Sequence, residues 1–204
     1  MQLLSNTTSP FVRIARIAMI EKGLDVAPTI VDPWADDQRL RDANAATRVP
    51  TLVLDDGTPL TESLLIVQWL EATRAQGPSL LGPDVAGVMS RAGVALGVID
   101  AAVHTIIIRK VTAPVLFDET PVGLRRRRTM AEGMQRLEAM ASAHPMAADG
   151  QPRLDAICAI TALDYLRFRF TDAPWLPAMP TLDALSLRLR QRPSFRDTMP
   201  YVAT

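Results

Sequence analysis

Two short polar motifs adjoin apolar segments in a way that suits a peptide-like ligand. Glu62 and Ser63 precede an apolar run that predicts a helix, and a helix N-terminus that carries a hydroxyl is an anion site. The Glu62 carboxylate beside it can bind an ammonium group. Pro50 opens a predicted strand and favours an extended backbone at Val49, which can then pair with a peptide. Together these groups match an amino acid joined to a peptide.

The elements that must position these motifs form a mixed α/β half. Strands are predicted at 2–5, 29–31, 51–54 and 58–60, with a turn at Asp55-Asp56-Gly57 between the last two. Helices are predicted from Pro10 to about Lys22, over 36–45 and from Ser63 to about Ala75. Ser9 is the predicted N-cap of the first helix, because proline suits the first helical position.

The second half of the chain predicts helices alone. Glycine and proline residues between 76 and 83 mark a boundary. Helices are predicted at 84–112, 121–143, 154–170 and 181–190, with a last turn after Pro193. The predicted fold class is therefore α/β followed by all-α, with domains at 1–76 and 84–204.

The composition excludes several classes of protein. Among 204 residues, 22 basic side chains balance 22 acidic ones, which favours neither nucleic acid nor an anionic membrane as a partner. One cysteine excludes an internal disulfide framework. We expect no signal peptide, and we expect no apolar run to approach the roughly 18–20 residues that a membrane span needs. A soluble, cytoplasmic protein is predicted.

The order of four motifs resembles the glutathione S-transferase family, in particular its bacterial members with Ser-Pro-Phe at the first helix. The resemblance covers nearly the whole chain, and it implies a thioredoxin-like domain followed by a helical domain, with glutathione as co-substrate and a homodimer as the assembly. The motifs are Ser9-Pro10-Phe11, Val49-Pro50, Glu62-Ser63 and Arg192-Pro193-Ser194-Phe195.

In this family the hydroxyl at the position of Ser9 faces the glutathione sulfur and stabilises its thiolate. A free thiol has a pKa of about 8.5, and lowering it by about 2 units requires roughly 2.7 kcal/mol. A hydrogen bond to a charged acceptor contributes about 1.5–3 kcal/mol, and a helix N-terminus adds about 0.3–1 kcal/mol. Ser9 can therefore supply most of the shift, or it can act only as a helix cap. Thr7 and Thr8 are weaker alternatives.

The remaining glutathione contacts implied by the resemblance lie between residues 34 and 63. Glu62 and Ser63 would hold the γ-glutamyl ammonium and carboxylate, or they would simply begin a helix. Val49 would bind through its main chain, and Pro50 matches the family's cis-proline. Two further residues have alternatives at the glycyl end of the ligand: Arg48 binds that carboxylate or is solvated, and Trp34 shields it or covers the helix behind it. Ala45-Ala46-Thr47 stands where the family usually has a glycine.

Asp100 and His104 are the candidates for the second-substrate pocket. With Gly93 and Gly97 they fall on one stripe of the predicted long helix, and in the family this helix lines the cleft for the electrophile. The alternative is a close helix contact, at a dimer interface or within the bundle, with an exposed Asp-His pair.

Other conspicuous residues have structural interpretations. The four arginines at 125–128 fan around a helix, which indicates solvation rather than nucleic-acid binding. Cys158 lies in an apolar run and is predicted to be an inert core thiol. The family's capping box is missing at this helix, where the nearest acid is Asp155. His104 and His144 with one distant cysteine predict no metal site.

The sequence therefore predicts an enzyme that activates the glutathione thiol for attack on an electrophile or a disulfide. A cysteine at position 9 would indicate disulfide exchange through the protein itself, and Ser9 removes that route. A non-catalytic partner-binding module with the same fold is the alternative. Glutathione-dependent isomerisation or dehalogenation is a third possibility, which sequence cannot separate from transfer.

Overall fold

The computed structural model describes residues 1–74, 77–114 and 116–202. The chain forms two compact units, one of Met1–Leu80 with Arg190–Thr204 and one of Leu81–Leu189. The predicted fold class is confirmed, since a small mixed sheet with helices is followed by a helical part. The predicted helix end at Ala75 and the predicted boundary at Gln76 lie outside the described residues.

The first unit contains the four predicted strands and the three predicted helices α1, α2 and α3, in the predicted order. A serine cap and a proline start α1, and an aspartate caps α2. The elements are β1 Gln2–Ser5, α1 Pro10–Glu21, β2 Pro28–Ile30, α2 Gln38–Ala43, β3 Thr51–Val53, β4 Pro59–Thr61 and α3 Ser63–Thr73.

The four strands form one sheet in the order β2-β1-β3-β4. β1 runs parallel to β2 and antiparallel to β3, and β4 is antiparallel to β3. Leu3, Leu4 and Leu52 are buried, so β1 is covered on both faces and β3 on at least one. α1 and α3 pack against each other and bury Ile14 and Leu70.

The described residues of the second unit form helices joined by loops, without a strand. α4 packs against both α5 and α6, and the residues of α6 from Leu154 to Leu166 are all buried, including Cys158. Burial raises the pKa of the Cys158 thiol, as expected for an inert core cysteine. The elements are α4 Val85–Thr112, a 3₁₀ turn Phe117–Glu119, α5 Pro121–Ala143, α6 Leu154–Arg169 and α7 Pro180–Leu189.

An interhelical ion pair stands at the start of α6, where the capping box is missing. Arg153 is the N-cap residue and its side chain makes no capping hydrogen bond. Asp155 accepts from its neighbour Ala156 N at 2.8 Å and from Arg91 Nε of α4 at 2.7 Å. The cap is thus replaced by an acid that joins two helices.

α4 is long and apolar enough to cross a membrane by length and composition, with a mean hydropathy of 1.6 over its best window. This corrects the expectation that no segment reaches that length. The physical reason is its role in the bundle: Ala95, Val98 and Ile99 are buried against neighbouring helices. Length and composition alone do not assign α4 to a membrane, since helices of bundles meet the same criterion.

The C-terminal segment packs with the first unit, whereas the sequence assigned all residues to 204 to the helical domain. It contains a last short helix, α8 Pro193–Arg196, which packs against α1. Arg192 Nη2 pairs with Glu21 Oε2 at 2.6 Å, and the Ser194 hydroxyl donates to the same carboxylate. These polar contacts and the fully buried Phe195 hold the end of the chain on α1.

Candidate functional site

Three loops of the first unit meet at one edge of its sheet. Leu4 of β1 is paired with Thr51 of β3, and Thr51 is paired with Thr61 of β4. β1 therefore ends where β3 begins and where β4 ends. The loop after β1, the segment before β3 and the start of α3 leave the sheet at this edge. They carry Ser9, Val49-Pro50 and Glu62-Ser63 respectively.

Ser9 is the N-cap of α1, as predicted. Its backbone is extended, with φ −75° and ψ 121°, and its Oγ accepts a hydrogen bond from Val12 N at 3.3 Å. The hydroxyl hydrogen of Ser9 donates to no group among the described residues. Because a hydroxyl has one donor and two acceptor positions, capping leaves the donor free for a ligand. The two interpretations of Ser9 are therefore compatible.

The neighbouring hydroxyl of Thr8 is already engaged. Thr8 Oγ1 donates to Asn6 Oδ1 at 2.8 Å, and Thr8 N donates to the same oxygen at 3.0 Å. This turn fixes the loop immediately before Ser9. Thr8 is consequently a weaker candidate than Ser9 for donating to a bound thiolate.

The Val49-Pro50 peptide bond is cis, and Pro50 is buried. The Val49 side chain packs against the buried cluster of Leu4, Val31 and Leu40. Its main-chain N–H and C=O make no hydrogen bond with the described residues. The packed side chain therefore holds the Val49 main chain in place, and its N–H and C=O can pair with an extended ligand.

Asn44 braces this segment, and sequence reasoning missed it. Its Nδ2 donates to Arg48 O and to Thr51 Oγ1, each at 3.1 Å, and its Oδ1 accepts from Ala46 N at 2.9 Å. Asn44 is buried, so its hydrogen bonds are shielded from water. The only signal was a polar residue at the end of a predicted helix, and that pattern does not indicate which strand it will contact.

Glu62 and Ser63 begin α3 without the usual side-chain cap. Glu62 is the N-cap residue but makes no capping hydrogen bond, and the buried Ser63 hydroxyl bonds to no group among the described residues. First-turn N–H groups that lack a side-chain cap can bind an anion. Glu62 has φ 64°, a left-handed conformation that costs a non-glycine residue about 1–3 kcal/mol.

Arg48 lies near Glu62 in this structure. Its Nη1 is 3.7 Å from Glu62 Oε1, and the two side chains are 73% and 58% exposed. An ion pair this exposed contributes only about 0–1 kcal/mol. A ligand ammonium can therefore compete for the Glu62 carboxylate at little cost.

The chain resembles known proteins over its full length. A glutathione S-transferase from Methylobacterium radiotolerans, solved in complex with glutathione sulfonate, is 32% identical with a TM-score of 0.89. That match covers 100% of this chain and 96% of the other. The chain belongs to the glutathione S-transferase family.

The other similarities agree with this family assignment. The family model described as the N-terminal domain of glutathione S-transferase matches residues 8–73, a range that includes Ser9, Asn44 and Ser63. The uncharacterized GST-like protein YibF of Escherichia coli is 28% identical, with 98% of each chain covered. A glutathione S-transferase from Methylobacillus flagellatus, solved with glutathione bound, is 27% identical with a TM-score of 0.86, and the match covers 98% of this chain and 99% of that one.

Trp34 lies in the loop between β2 and α2 and is 50% exposed. Its main-chain N–H donates to Asp32 Oδ1 at 2.9 Å. This hydrogen bond fixes the turn on which the indole side chain stands. Its assignment to the glycyl end of glutathione stays a prediction.

Asp100 and His104 form an exposed cluster in the second unit, together with Arg126. Asp100 Oδ2 lies 3.4 Å from His104 Nδ1 and 3.5 Å from Arg126 Nη1. A Cβ at Gly93 or Gly97 would meet no atom within 4 Å, so these glycines serve no close packing within the described chain. The assignment of Asp100 and His104 to the second-substrate pocket stays a prediction.

No group of three His, Cys, Asp or Glu side chains within the ranges 1–74, 77–114 and 116–202 is arranged to hold a metal ion.

Proposed function

We propose that the protein binds glutathione, holds its cysteine sulfur beside Ser9 as a thiolate, and transfers it to an electrophile. Three sets of polar groups that lack hydrogen-bond partners meet at one edge of the sheet, and this is the observation that supports the proposal best. Within the part of the chain that the structure describes, the three sets are the hydroxyl donor of Ser9, the unpaired main chain of Val49, and the uncapped start of α3 with Glu62.

Each set matches one part of the tripeptide. The main chain of Val49 pairs with the cysteinyl backbone of glutathione. Ser63 and the first-turn N–H groups of α3 receive the γ-glutamyl carboxylate, and Glu62 receives its ammonium group. Two relatives crystallised with glutathione or its sulfonate support the same ligand class for this chain.

The chemistry requires only a positioned donor and a helix N-terminus. Ser9 stabilises the thiolate through one charged hydrogen bond, and the α1 dipole adds to it. The thiol proton passes to solvent, and the sulfur then forms a bond to the electrophilic carbon as the leaving group departs. The family assignment supports transferase chemistry at this level.

Calorimetry with reduced glutathione tests the binding site. We expect Ser63→Ala and Glu62→Gln each to raise the Kd by more than tenfold, because a hydrogen bond to a charged group contributes about 1.5–3 kcal/mol. Ser90→Ala is the matched control, since Ser90 is exposed on α4 and should leave the Kd unchanged. An unchanged Kd in both site variants would contradict the assignment, and absence of binding in the parent would favour a non-catalytic binding module.

We further propose a homodimer, as the family resemblance implies. Apolar side chains exposed on α3 support an interface, since Leu64 is 37% and Leu65 is 52% exposed. Light scattering at micromolar concentration should give twice the chain mass, and Leu65→Glu should shift the equilibrium toward monomer. A parent protein that is monomeric under these conditions would refute the proposal.

A further inference from the structure

A small cavity lies beside Ser9 between α1 and the C-terminal segment. Its volume is about 30 Å³, and a cavity needs about 10–15 Å³ to hold one water molecule. A carboxylate-sized group therefore fits, whereas a tripeptide does not. Of the residues proposed for the glutathione site, only Ser9 lines this cavity.

Two arginines of helix α1 line the cavity. Ser9, Arg13 and Arg16 are spaced by four and three residues, so they lie on one face of α1. Arg13 is 3% exposed and donates to Phe195 O and Thr198 Oγ1, each at 3.4 Å. Its positive charge is therefore fixed in place.

Arg16 is half-buried, and its guanidinium makes no hydrogen bond or ion pair with the described part of the chain. The acid whose field reaches it is Asp197. The pKa of Asp197 is lowered first by a hydrogen bond from Arg196 and only to a smaller extent by the charge of Arg16. Asp197 thus remains engaged with Arg196 Nε at 2.7 Å and leaves Arg16 available.

Among the described residues, no aspartate or glutamate lines the cavity, so its two arginines make the surrounding potential positive. Ile30 and Met199 add an apolar wall. The C-terminal segment is held over the loop after β1 by a hydrogen bond from Tyr201 N to Thr7 O at 3.4 Å, and Tyr201 also lines the cavity. This combination suits an anion attached to an apolar body.

We propose that this cavity binds the carboxylate of an acidic electrophile and thereby holds the reactive carbon next to Ser9. The inference rests on the proposed function, because the nucleophile is the glutathione thiolate. With a haloaryl carboxylate, the sulfur forms the C–S bond, the halide leaves with the electrons of the carbon–halogen bond, and the thiol proton goes to solvent.

Binding of small aryl acids tests the cavity without any catalysis. In an NMR titration, 4-nitrobenzoate should bind the parent at least tenfold more tightly than the neutral 4-nitrobenzamide. Arg16→Gln should remove this preference, because it deletes one charged hydrogen-bond donor, and Arg16→Lys should retain most of it. Arg39→Gln removes the same charge from α2, outside the cavity, and should change nothing. Equal Kd values for acid and amide in the parent, or a preference that survives Arg16→Gln, would overturn the proposal.

Turnover separates this inference from the proposed function. The substrates are 4-chloro-3-nitrobenzoate and its amide, and each enzymatic rate is divided by the uncatalysed rate of the same substrate with glutathione. Arg16→Gln should lower kcat/KM about tenfold for the acid and leave kcat/KM for the amide unchanged. If the protein conjugates the amide and Arg16→Gln does not change kcat/KM for the acid, the proposed carboxylate site is refuted and the transferase function stands. Binding of 4-nitrobenzoate that depends on Arg16 in a protein that conjugates neither substrate would sustain the cavity and refute the transferase function.

Discussion

A single hydroxyl at Ser9 can stabilise both the fold and the reactive sulfur. Its lone pair caps α1 through Val12 N, and its hydrogen is unused among the described residues. The sequence presents these two roles as alternatives. The geometry makes them simultaneous, because the cap consumes an acceptor position whereas a thiolate requires a donor.

Ser9→Ala should therefore have two separate effects. Loss of the cap should lower the free energy of unfolding by about 0.5–2 kcal/mol. Loss of the donor should raise the pKa of bound glutathione by about 1–2 units, which corresponds to about 1.5–3 kcal/mol. Thiolate absorbance of bound glutathione against pH measures the second effect, and urea unfolding measures the first.

Thr8→Val is the matched control for the titration, since its hydroxyl already donates to Asn6 Oδ1. It should leave the pKa of the bound thiol close to that of the parent. A lower stability of Ser9→Ala together with an unchanged thiol pKa would reduce Ser9 to a cap. A parent with no depressed thiol pKa would exclude any catalytic role for Ser9 in this scheme.

At the scale of elements, the helices could be read from the sequence because local signals determine them. α5 begins at Pro121 behind a Thr120 cap and runs to Ala143, as predicted. The continuous apolar run of α6 predicts that helix equally well. Such caps and periodicities act within one or two turns, so no tertiary information is required.

The loops of the site could not be read in the same way. Their conformations depend on contacts between residues that lie apart in the chain, such as Asn44 with the start of β3. Thr47 and Glu62 adopt positive φ values of 50° and 64°, where intrinsic preference predicts glycine. A sequence therefore reveals that a loop is present while hiding the strained conformation that packing imposes on it.

Thr47→Gly tests this strain in the loop that carries Val49 and Pro50. A left-handed conformation costs an L-residue about 1–2 kcal/mol, and the added flexibility of glycine in the unfolded state offsets about 0.5–1 kcal/mol. We expect the variant to be more stable than the parent by about 0.5–1 kcal/mol in urea unfolding. The matched control is Ala46→Gly, because Ala46 has no positive φ and should lose stability instead. Equal loss in both variants would show that Thr47 is not strained.

At the scale of the whole molecule, the unit that carries the proposed site is assembled from two segments far apart in sequence. Its N-terminal part supplies the sheet and α1, and the C-terminal segment from Arg190 packs on α1. Sequence periodicity assigned this segment to the helical half, since a short helix carries no signal for the partner on which it docks. The same segment contributes Thr198 and Tyr201 to the cavity beside Ser9.

Phe195 should be the main anchor of this C-terminal segment. Its side chain is 0% exposed, and replacing a buried phenylalanine by alanine costs about 3–5 kcal/mol. Phe195→Ala should lower the free energy of unfolding by this amount. Native-state hydrogen exchange should show faster exchange in α1 and β1, with protection in α6 of the other unit retained. The control Leu187→Ala, at a side chain that is 68% exposed, should leave both regions protected. If α6 loses protection to the same extent as α1, the two units unfold as one and the C-terminal segment does not stabilise the first unit selectively.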